Sequence, residues 1–367
     1  MAKQSPAGTL PDPDRLADSF RVYEVDASAE EVRYYGKPQT ESEQVLRRVG
    51  PTFRQRGYRV QLRREMGEHV LVATERSLGV DGIPWTNVAL AVATLLSTLY
   101  AGSRWYGISL GSDPAALVGA WPFAAGVVGI LAVHEFGHYV LSRHHEVQAS
   151  LPYFIPLPFN VIGTLGAVIS MNDNIPDRKA LFDIGVAGPL AGLVATIAVT
   201  AVGVTLEPIR VTEGIVTQVE LGYPLLIRGI ALLLGEQVVY SDPNLMANPV
   251  VIAGWVGAFV TFLNLLPVGQ LDGAHIARSL LGDRMETLQS LVPGFLFGLA
   301  GYLYVFEGGR AAILWGFWGV LALVFSRAGS ATPLDETRLD ARRQAIGVLT
   351  FVLGLLCFVP VPIVISM

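Results

Sequence analysis

Charge and cysteine are both scarce in this sequence. Only 16% of its 367 residues are Asp, Glu, Lys or Arg, which is too few for the water-facing surface of a soluble protein of this length. The single cysteine, Cys357, excludes a secreted fold held together by disulfides. The formal net charge of −5 offers no basic surface, so we expect no nucleic-acid partner. Because 51% of the residues are hydrophobic, the class that remains is a polytopic protein embedded in a lipid bilayer.

The charged residues are concentrated at one end of the chain. They make up 26 of the first 84 residues but only 31 of the other 283. This change in composition predicts a soluble domain over 1–82, followed by membrane segments. Within that domain, residues 42–56 have a helical pattern, and alternating apolar residues on both sides of Met66 predict a β-hairpin. We therefore expect a small α+β domain.

Long uncharged stretches follow the soluble domain, and a helix needs about 20 apolar residues to cross the bilayer. The long stretches are 82–103, 114–133, 184–206, 243–271, 287–306 and 344–367, with a weaker one at 311–326. A shorter apolar piece at 229–235 predicts an interfacial or re-entrant helix. The predicted fold class is an all-α polytopic membrane protein with six or seven transmembrane helices, a re-entrant β-hairpin or loop, and the small α+β domain.

The positive residues orient these helices. With the N-terminus in the cytoplasm, 22 of the 26 Lys and Arg residues lie on the cytoplasmic side, as the positive-inside rule requires. We therefore predict a multi-pass protein of the cell membrane with a cytoplasmic N-terminus.

Residues 134–138 read HEFGH, at the end of the second predicted span, which continues to about Leu141. Side chains four positions apart share a helix face, so His134 and His138 can bind one metal ion while Glu135 points at its bound water. Zinc suits such ligands and lowers the pKa of bound water to about 7. The alternative is a polar contact between helices, in which these ionisable groups bond to neighbouring spans.

A catalytic zinc site needs a third protein ligand. The best candidate is Asp272, at the cytoplasmic end of the fourth predicted span, because the orientation above puts HEFGH at the same depth. The alternative is that Asp272 is only a charge at a helix end. His275 could be a ligand, a partner of a ligand or a cytoplasmic loop residue, and we favour the loop. We also expect His144 and His145 in a solvated loop.

Three separated motifs occur in an order that resembles the site-2 protease family of intramembrane zinc metalloproteases. They are HEFGH, the segment AGPLAG at 187–192, and the later set Asn264, Pro267, Leu271, Asp272 and Gly273. The likeness covers about 120–280. It implies a metalloprotease core over 83–280, followed by C-terminal transmembrane helices over 281–367.

The resemblance also implies roles for single residues. One zinc ion would be held by His134, His138 and Asp272. Glu135 would be the catalytic acid and base, and Asn264 would orient the substrate or stabilise the developing oxyanion. Members of the family commonly release membrane-tethered regulators, so a membrane-anchored protein substrate is implied.

Two features bear on the subgroup. Residue 274 is alanine, where many members have a second glycine, and this small change casts little doubt on the neighbouring ligand. The predicted outer segment from about 205 to 247 is too short for the PDZ module of many bacterial members. The chain is therefore most similar to the PDZ-less archaeal, cyanobacterial and plastid-type members.

Residues 151–172 are rich in proline and glycine, which oppose a regular helix. Val161-Ile162 and 167–170 have strand-like composition. We predict an apolar hairpin or loop that reaches the depth of the active site, where its edge pairs with an unwound substrate. The alternative is a surface loop between spans.

Small residues recur on several of the predicted spans. Gly185, Gly188 and Gly192 share one face of the third span, which predicts close packing against the metal-bearing helices. Two further pairs suggest packing in the same way, Gly254 with Gly257 and Gly294 with Gly298.

The predicted function is hydrolysis of peptide bonds in or near the transmembrane segments of other proteins. One rival is a membrane metal-ion transporter, which also needs His and acidic residues inside helices but would place them along a path open to both sides. The other rival is a catalytically inactive, protease-like scaffold, and the intact HEFGH and Asp272 argue against it.

Overall fold

The computed structural model describes residues 10–28, 31–65, 67–75, 82–109, 111, 113–171, 175–210, 219–242, 244–307, 309–329 and 331–365. Helices predominate in these residues. The helices are α1 (Ser42–Arg54), α2 (Trp85–Trp105), α3 (Trp121–His144), α4 (Arg178–Thr205), α5 (Leu225–Leu234), α6 (Pro249–Asn264), α7 (Asp272–Leu281), α8 (Met285–Phe306), α9 (Arg310–Ala328) and α10 (Ala341–Leu356). The strands are β1 (Phe20–Ala27), β2 (Glu31–Pro38), β3 (Tyr58–Glu65), β4 (Glu68–Glu75), β5 (Tyr153–Leu157), β6 (Gly163–Val168), β7 (Ile209–Arg210), β8 (Val219–Leu221), β9 (Leu245–Met246) and β10 (Ile363–Ile365).

The N-terminal sheet domain is the predicted α+β unit. Its four strands are antiparallel in the order β1-β2-β4-β3, and α1 packs against them. Apolar side chains alternate along the strands, so one face of the sheet is buried against α1 and Tyr34 stacks edge-on against Phe53. The predicted β3–β4 hairpin is present, while Met66 at its turn lies outside the described residues.

Within the described residues, four helical stretches are long and apolar enough to cross a membrane. They are Trp85–Trp105, Pro114–His144, Arg178–Thr205 and Asp272–Phe306. Shorter apolar helices cover Leu225–Leu234, Pro249–Asn264 and Ala312–Arg327. This confirms a mostly helical structure with candidate membrane helices, whereas the number of six or seven crossings stays a prediction. The short helix α5 agrees with the prediction of a non-spanning helix near 229–235.

The predicted span 243–271 is not one helix. α6 ends at Asn264, and the chain then turns before α7 begins at Asp272. Pro267 has no backbone N–H to continue a helix. Gly269 has a φ of +61°, a left-handed conformation that glycine adopts without strain. The turn therefore separates two short helices where composition alone indicated a single crossing.

The last predicted span, 344–367, is also shorter than expected. α10 ends at Leu356, because Pro360 and Pro362 come soon after it and cannot donate helical hydrogen bonds. The chain then forms β10, which pairs antiparallel with β8. Trp315 of α9 donates a hydrogen bond from Nε1 to the carbonyl of Pro360 (2.6 Å). These bonds fix the proline segment against the helical bundle.

The core of the membrane part is formed by α3, α4 and α6. α4 packs against both of the other helices, and α7 packs against α4. Small residues permit the close approach, as predicted: a Cβ atom added to Gly126 would lie 2.8 Å from Ala253 Cβ. Gly257 lies against Ile130, and Gly254 against Thr200. A Cβ atom added to Gly294 or Gly298 would meet nothing within 4 Å in the described structure, so the prediction of close packing was wrong for that pair.

Candidate metal centre

The HEFGH residues lie on α3, where the helical repeat puts the two imidazoles on one face. His134 is 3% exposed and His138 is 6% exposed. Their ring centroids are 5.0 Å apart, and their Nε2 atoms are 3.3 Å apart. The structure thus brings the two predicted metal donors together inside the protein.

Asp272 completes a group of three donors. As the first residue of α7, it points its carboxylate at both imidazoles. Its Oδ2 atom lies 3.2 Å from His134 Nε2, and its Oδ1 atom lies 3.1 Å from His138 Nε2. In the described parts of the chain, the ligand atoms of these three side chains all lie within 4.8 Å of one another, which is close enough to hold one metal ion.

The spacing of these donors fits a tetrahedral ion. Ligand atoms at 2.0–2.1 Å from tetrahedral zinc lie about 3.3 Å from one another. The measured separations of 3.1, 3.2 and 3.3 Å agree with that value. Three protein donors also leave a fourth position for water or substrate, as a catalytic site requires.

A backbone contact fixes the orientation of His138. Its Nδ1 atom lies 2.8 Å from the carbonyl oxygen of Ile184 on α4. A ring that donates its hydrogen from Nδ1 to a carbonyl keeps a lone pair on Nε2, which is the form that binds a metal. The contact therefore sets both the tautomer and the direction of the ring.

The small face of α4 lies directly against the imidazoles. A Cβ atom on Gly192 would come 2.8 Å from His134 Nδ1, and one on Gly188 would overlap His138 Nε2. The glycines were predicted to pack α4 against the metal-bearing helices, and this is their arrangement. Their lack of side chains provides the space in which the imidazole rings lie.

Glu135 and Asn264 border the same cavity as the three donors. The cavity has a volume of about 130 Å³, and Glu135 is 4% exposed beside it. Asn264 is the last residue of α6, and its Nδ2 atom lies 3.2 Å from His134 Nε2. The remaining lining residues are Ala167, Val168, Ile169, Met171, Gln270, Leu271 and His275. Every side chain proposed from the sequence for this site is thus beside one cavity.

Comparison with known proteins identifies this part of the chain. The family model described as peptidase family M50 matches residues 122–293. This segment belongs to peptidase family M50. It contains HEFGH, the glycine face of α4, Asn264 and Asp272, so the resemblance to the site-2 proteases is confirmed.

Relatives of this M50 segment occur in plants. The chain is 33% identical over 254 residues to "Probable zinc metalloprotease EGY1, chloroplastic" of Arabidopsis thaliana, which covers 66% of this chain and 43% of the relative. It is 29% identical over 298 residues to "Probable zinc metallopeptidase EGY3, chloroplastic" of the same plant, covering 75% and 48%. The chain therefore spans less than half the length of these relatives. No solved structure matches it.

The prediction for His275 was wrong. This residue is not in a loop but on α7, where it is buried and lines the cavity of the M50 segment. The sequence pattern extended the fourth span to residue 271, so the residues after it were expected outside the membrane. The signal that could have found His275 is its spacing of three from Asp272, because such residues share a helix face.

The predicted hairpin of the M50 segment is present and reaches the cavity, but Val161-Ile162, predicted to be strand-like, lies in its turn and not in a strand. β5 and β6 pair antiparallel with Tyr153 opposite Val168, and a further bridge joins Ala149 to Met171. Val168 and Met171, near the end of this arm, line the cavity beside the donors. The side of β6 away from β5 has no strand partner in the described residues.

Side chains of α2 donate hydrogen bonds to the hairpin. The sequence pattern did not predict these contacts. Asn87 donates from Nδ2 to the carbonyls of Leu151 and Pro152 (both 3.0 Å). Ser97 donates to the carbonyl of Gly163 (2.5 Å). Further along, Trp105 donates from Nε1 to a hairpin carbonyl at 2.7 Å. Asn87 and Trp105 are about 27 Å apart along the helix, so the hairpin follows most of its length. The signal in the sequence that could have indicated these contacts is the presence of polar residues in an otherwise apolar span.

Asp183 connects three elements at one end of the bundle. It accepts two hydrogen bonds from the guanidinium of Arg343 on α10 (both 2.8 Å). It also lies 3.0 Å from Nε2 of His145, the residue directly after α3. His145 was expected in a solvated loop, whereas its ring lies beside this carboxylate. Asp177 caps α4 by accepting a hydrogen bond from the backbone N–H of Ala180.

Proposed function

We propose that this chain is a multi-pass zinc metalloprotease that hydrolyses peptide bonds in or near the transmembrane segments of membrane-anchored proteins. The observation that carries the proposal is the convergence of two imidazoles and a carboxylate at 3.1–3.3 Å, beside a second carboxylate. The cavity at these groups is bordered by an edge of β6 that has no strand partner among the described residues. The printed names of the chloroplast relatives, zinc metalloproteases, support the metal and the reaction class.

We assign the metal-binding role to His134, His138 and Asp272. When bound there, zinc supplies a Lewis acid and lowers the pKa of its water to about 7. The aspartate adds one negative charge to the two neutral rings, which suits a divalent cation better than three neutral donors would. The Ile184 carbonyl keeps the His138 ring in its binding tautomer.

Proton transfer is the role of Glu135. Its carboxylate accepts a proton from the attacking water as the oxygen adds to the scissile carbonyl. The same carboxyl group then donates this proton to the amide nitrogen, so that the C–N bond breaks and a neutral amine leaves. General acid–base catalysis of this kind contributes about 10²–10⁴-fold.

Asn264 is suited to bind the carbonyl oxygen as it becomes negative. Its Nδ2 atom lies beside the metal-binding atoms, 3.2 Å from His134 Nε2. An N–H group in this position can donate a hydrogen bond to an oxyanion. Removing one such donor costs about 10²–10³ in kcat in other hydrolases.

The edge of β6 is where we expect the substrate strand. A transmembrane helix must unwind before its carbonyls can be attacked, and its freed N–H and C=O groups need partners in an apolar environment. The outward edge of β6 offers backbone groups beside Val168, at the cavity. Pairing with this edge would satisfy the unwound segment and hold it next to Glu135.

The finer assignments of domain, topology and location belong to the same proposal. We divide the chain into a soluble domain over 1–82, a protease core over 83–280 and C-terminal helices over 281–367. The apolar stretches of the sequence suggest six or seven crossings. The positive-inside rule favours a cytoplasmic N-terminus and a site near the cytoplasmic side, and we propose the cell membrane as the location. Reporter fusions at the loops between helices test this topology. Membrane-tethered regulators are the substrate class that we propose.

Substitution of Glu135 tests the function against its two rivals. Wild-type, Glu135→Gln and Asp272→Ala proteins are purified in detergent and assayed for bound zinc and for cleavage of a single-span membrane reporter. We expect one zinc per chain in the wild type and in Glu135→Gln, cleavage only in the wild type, and loss of both in Asp272→Ala. Cleavage that survives Glu135→Gln would contradict the proposal. Zinc flux into sealed vesicles would indicate the transporter instead.

A further inference from the structure

A third histidine borders the cavity without a role so far. His275 lies on α7, one helical turn after Asp272, and is 5% exposed. Because residues three positions apart share a helix face, the two side chains project from the same side of α7. His275 lines the cavity together with Glu135 and Asn264.

α4 packs closely against the His275 side chain, as it does against the other two imidazoles. A Cβ atom on Gly185 would lie 2.9 Å from His275 Cβ, closer than real Cβ atoms approach. Gly185 is therefore a third glycine of α4 whose missing side chain makes room for a histidine. The three glycines lie on one helix face, and each adjoins one of the three imidazole side chains at the cavity.

The Nδ1 atom of His275 has an unmet hydrogen-bonding capacity. It is buried, and no described residue makes a hydrogen bond to it at normal distance and angle, although the backbone of Gln270 lies close to the ring. Leaving a buried polar atom unpaired costs about 1–3 kcal/mol, so most such atoms in proteins have a partner. Because His275 lines the cavity, a substrate bound there is the group best placed to supply that partner.

Metal binding does not explain His275. The clustered donor atoms in the described structure come from His134, His138 and Asp272, and His275 is outside this group. A catalytic zinc site also keeps its fourth position for water or substrate. The ring of His275 is thus beside the donors but separate from them.

We propose that His275 is a further catalytic residue, whose Nδ1–H donates a hydrogen bond to the substrate carbonyl oxygen as that oxygen becomes negative. The inference rests on the proposed protease function. The step transfers no proton: the ring keeps its hydrogen on Nδ1 and stabilises the tetrahedral adduct until the C–N bond breaks. Asn264 and His275 then approach the oxyanion from α6 and α7, two elements joined by the turn after Asn264.

Two amide replacements can distinguish the nitrogen that acts. The Asn side chain carries its NH₂ group close to the position of imidazole Nδ1, whereas the longer Gln side chain carries it close to Nε2. His275→Asn therefore retains a donor at the proposed position, and His275→Gln moves it. His275→Ala removes both nitrogens. We would compare the three variants with the wild type in full-length protein, using the single-span reporter.

The expected result is a graded loss in kcat at unchanged zinc content. His275→Ala and His275→Gln should lower kcat by about 10²–10³, the usual effect of one lost oxyanion donor. His275→Asn should stay within about tenfold of the wild type, and KM should change little in all three because the bond strengthens only in the transition state.

Several results would overturn the inference. Equal kcat in wild type and His275→Ala would exclude a catalytic role, and loss of zinc from His275→Asn would make the residue a ligand. A variant order with Gln better than Asn would assign the function to Nε2. If Glu135→Gln abolishes cleavage while His275→Ala does not, the proposed function stands and only this inference fails. If the wild type cleaves nothing, both fail.

Discussion

The backbone of Gly188 lies directly against the imidazole of His138. A Cβ atom at residue 188 would overlap His138 Nε2, the atom that faces Asp272. The ring cannot move away freely, because its Nδ1 atom is bonded to the Ile184 carbonyl. One missing side chain on α4 is thus a condition for the geometry of the metal centre on α3.

This contact makes Gly188→Ala a test of the centre. We expect it to abolish stoichiometric zinc binding and to reduce cleavage at least 100-fold, because the methyl group displaces His138 Nε2. Gly294→Ala is the matched control: Gly294 is also within a helix, and a Cβ atom there meets nothing within 4 Å. The control should bind zinc normally and gain about 0.5–1 kcal/mol of stability from alanine. Zinc analysis and thermal unfolding would show the difference. Full zinc occupancy in Gly188→Ala would contradict the predicted role of His138.

Removing the metal should lower the melting temperature. A ligand that binds only the folded state at 100 times its Kd contributes about 2.7 kcal/mol, and chelation removes that contribution. We therefore expect a chelator to lower the Tm of the wild type, with recovery when zinc is added back. Asp272→Asn keeps the side-chain shape but lacks the charge, so its Tm should respond little. Asp242→Asn, in an exposed loop, should respond as the wild type does. A chelator response in Asp272→Asn as large as in the wild type would argue against Asp272 as a ligand.

The hairpin contacts of α2 predict different effects for two buried serines. Ser97 donates its hydroxyl to the Gly163 carbonyl, whereas Ser103 donates to Tyr100 on its own helix. Ser97→Ala leaves the Gly163 carbonyl without this donor, at a cost of about 1–3 kcal/mol. We expect faster hydrogen exchange in β6 and slower cleavage. Ser103→Ala should match the wild type in both measurements. Identical behaviour of the two variants would mean that the α2 contact does not position the hairpin.

The contact between the N-terminal domain and α3 can be tested with two neighbouring arginines. Arg54 donates from Nη2 to the carbonyls of His145 (2.7 Å) and Glu146 (3.1 Å), directly after α3. Arg56 donates to the Thr52 carbonyl within its own segment. Arg54→Ala should increase hydrogen exchange at the end of α3, because the two carbonyls that follow the helix lose a charged donor. Arg56→Ala should leave α3 unchanged. Unaltered exchange in Arg54→Ala would show that the domain does not stabilise this end of the helix.

The donors of the metal centre could be predicted because their signals are local. HEFGH specifies its own geometry once the segment is helical, and Asp272 is indicated by the need for a third ligand at the same depth. The hairpin was predictable for a similar reason, since the prolines and glycines of 151–172 oppose a helix. Its strand positions were only partly predicted, because Val161-Ile162 lies in the turn.

The features that were missed depend on where helices end or on distant partners. Hydropathy continued through Asn264 to residue 271, so the separate helix α7 and its His275 were not anticipated. The bond between Asp183 and Arg343 joins residues 160 positions apart, a distance over which periodicity carries no information. The final span was overestimated because Pro360 and Pro362 look apolar in composition while they prevent a helix.

The donors that secure the hairpin belong to α2, which precedes the region 122–293 shared with the M50 family. A shortened protein that starts at residue 122 would retain every group of the metal centre. It would nevertheless leave the carbonyls of Leu151 and Gly163 without Asn87 and Ser97, inside an apolar solvent. The smallest self-sufficient version of this protein therefore has to begin upstream of Asn87, and family boundaries alone would misguide its design.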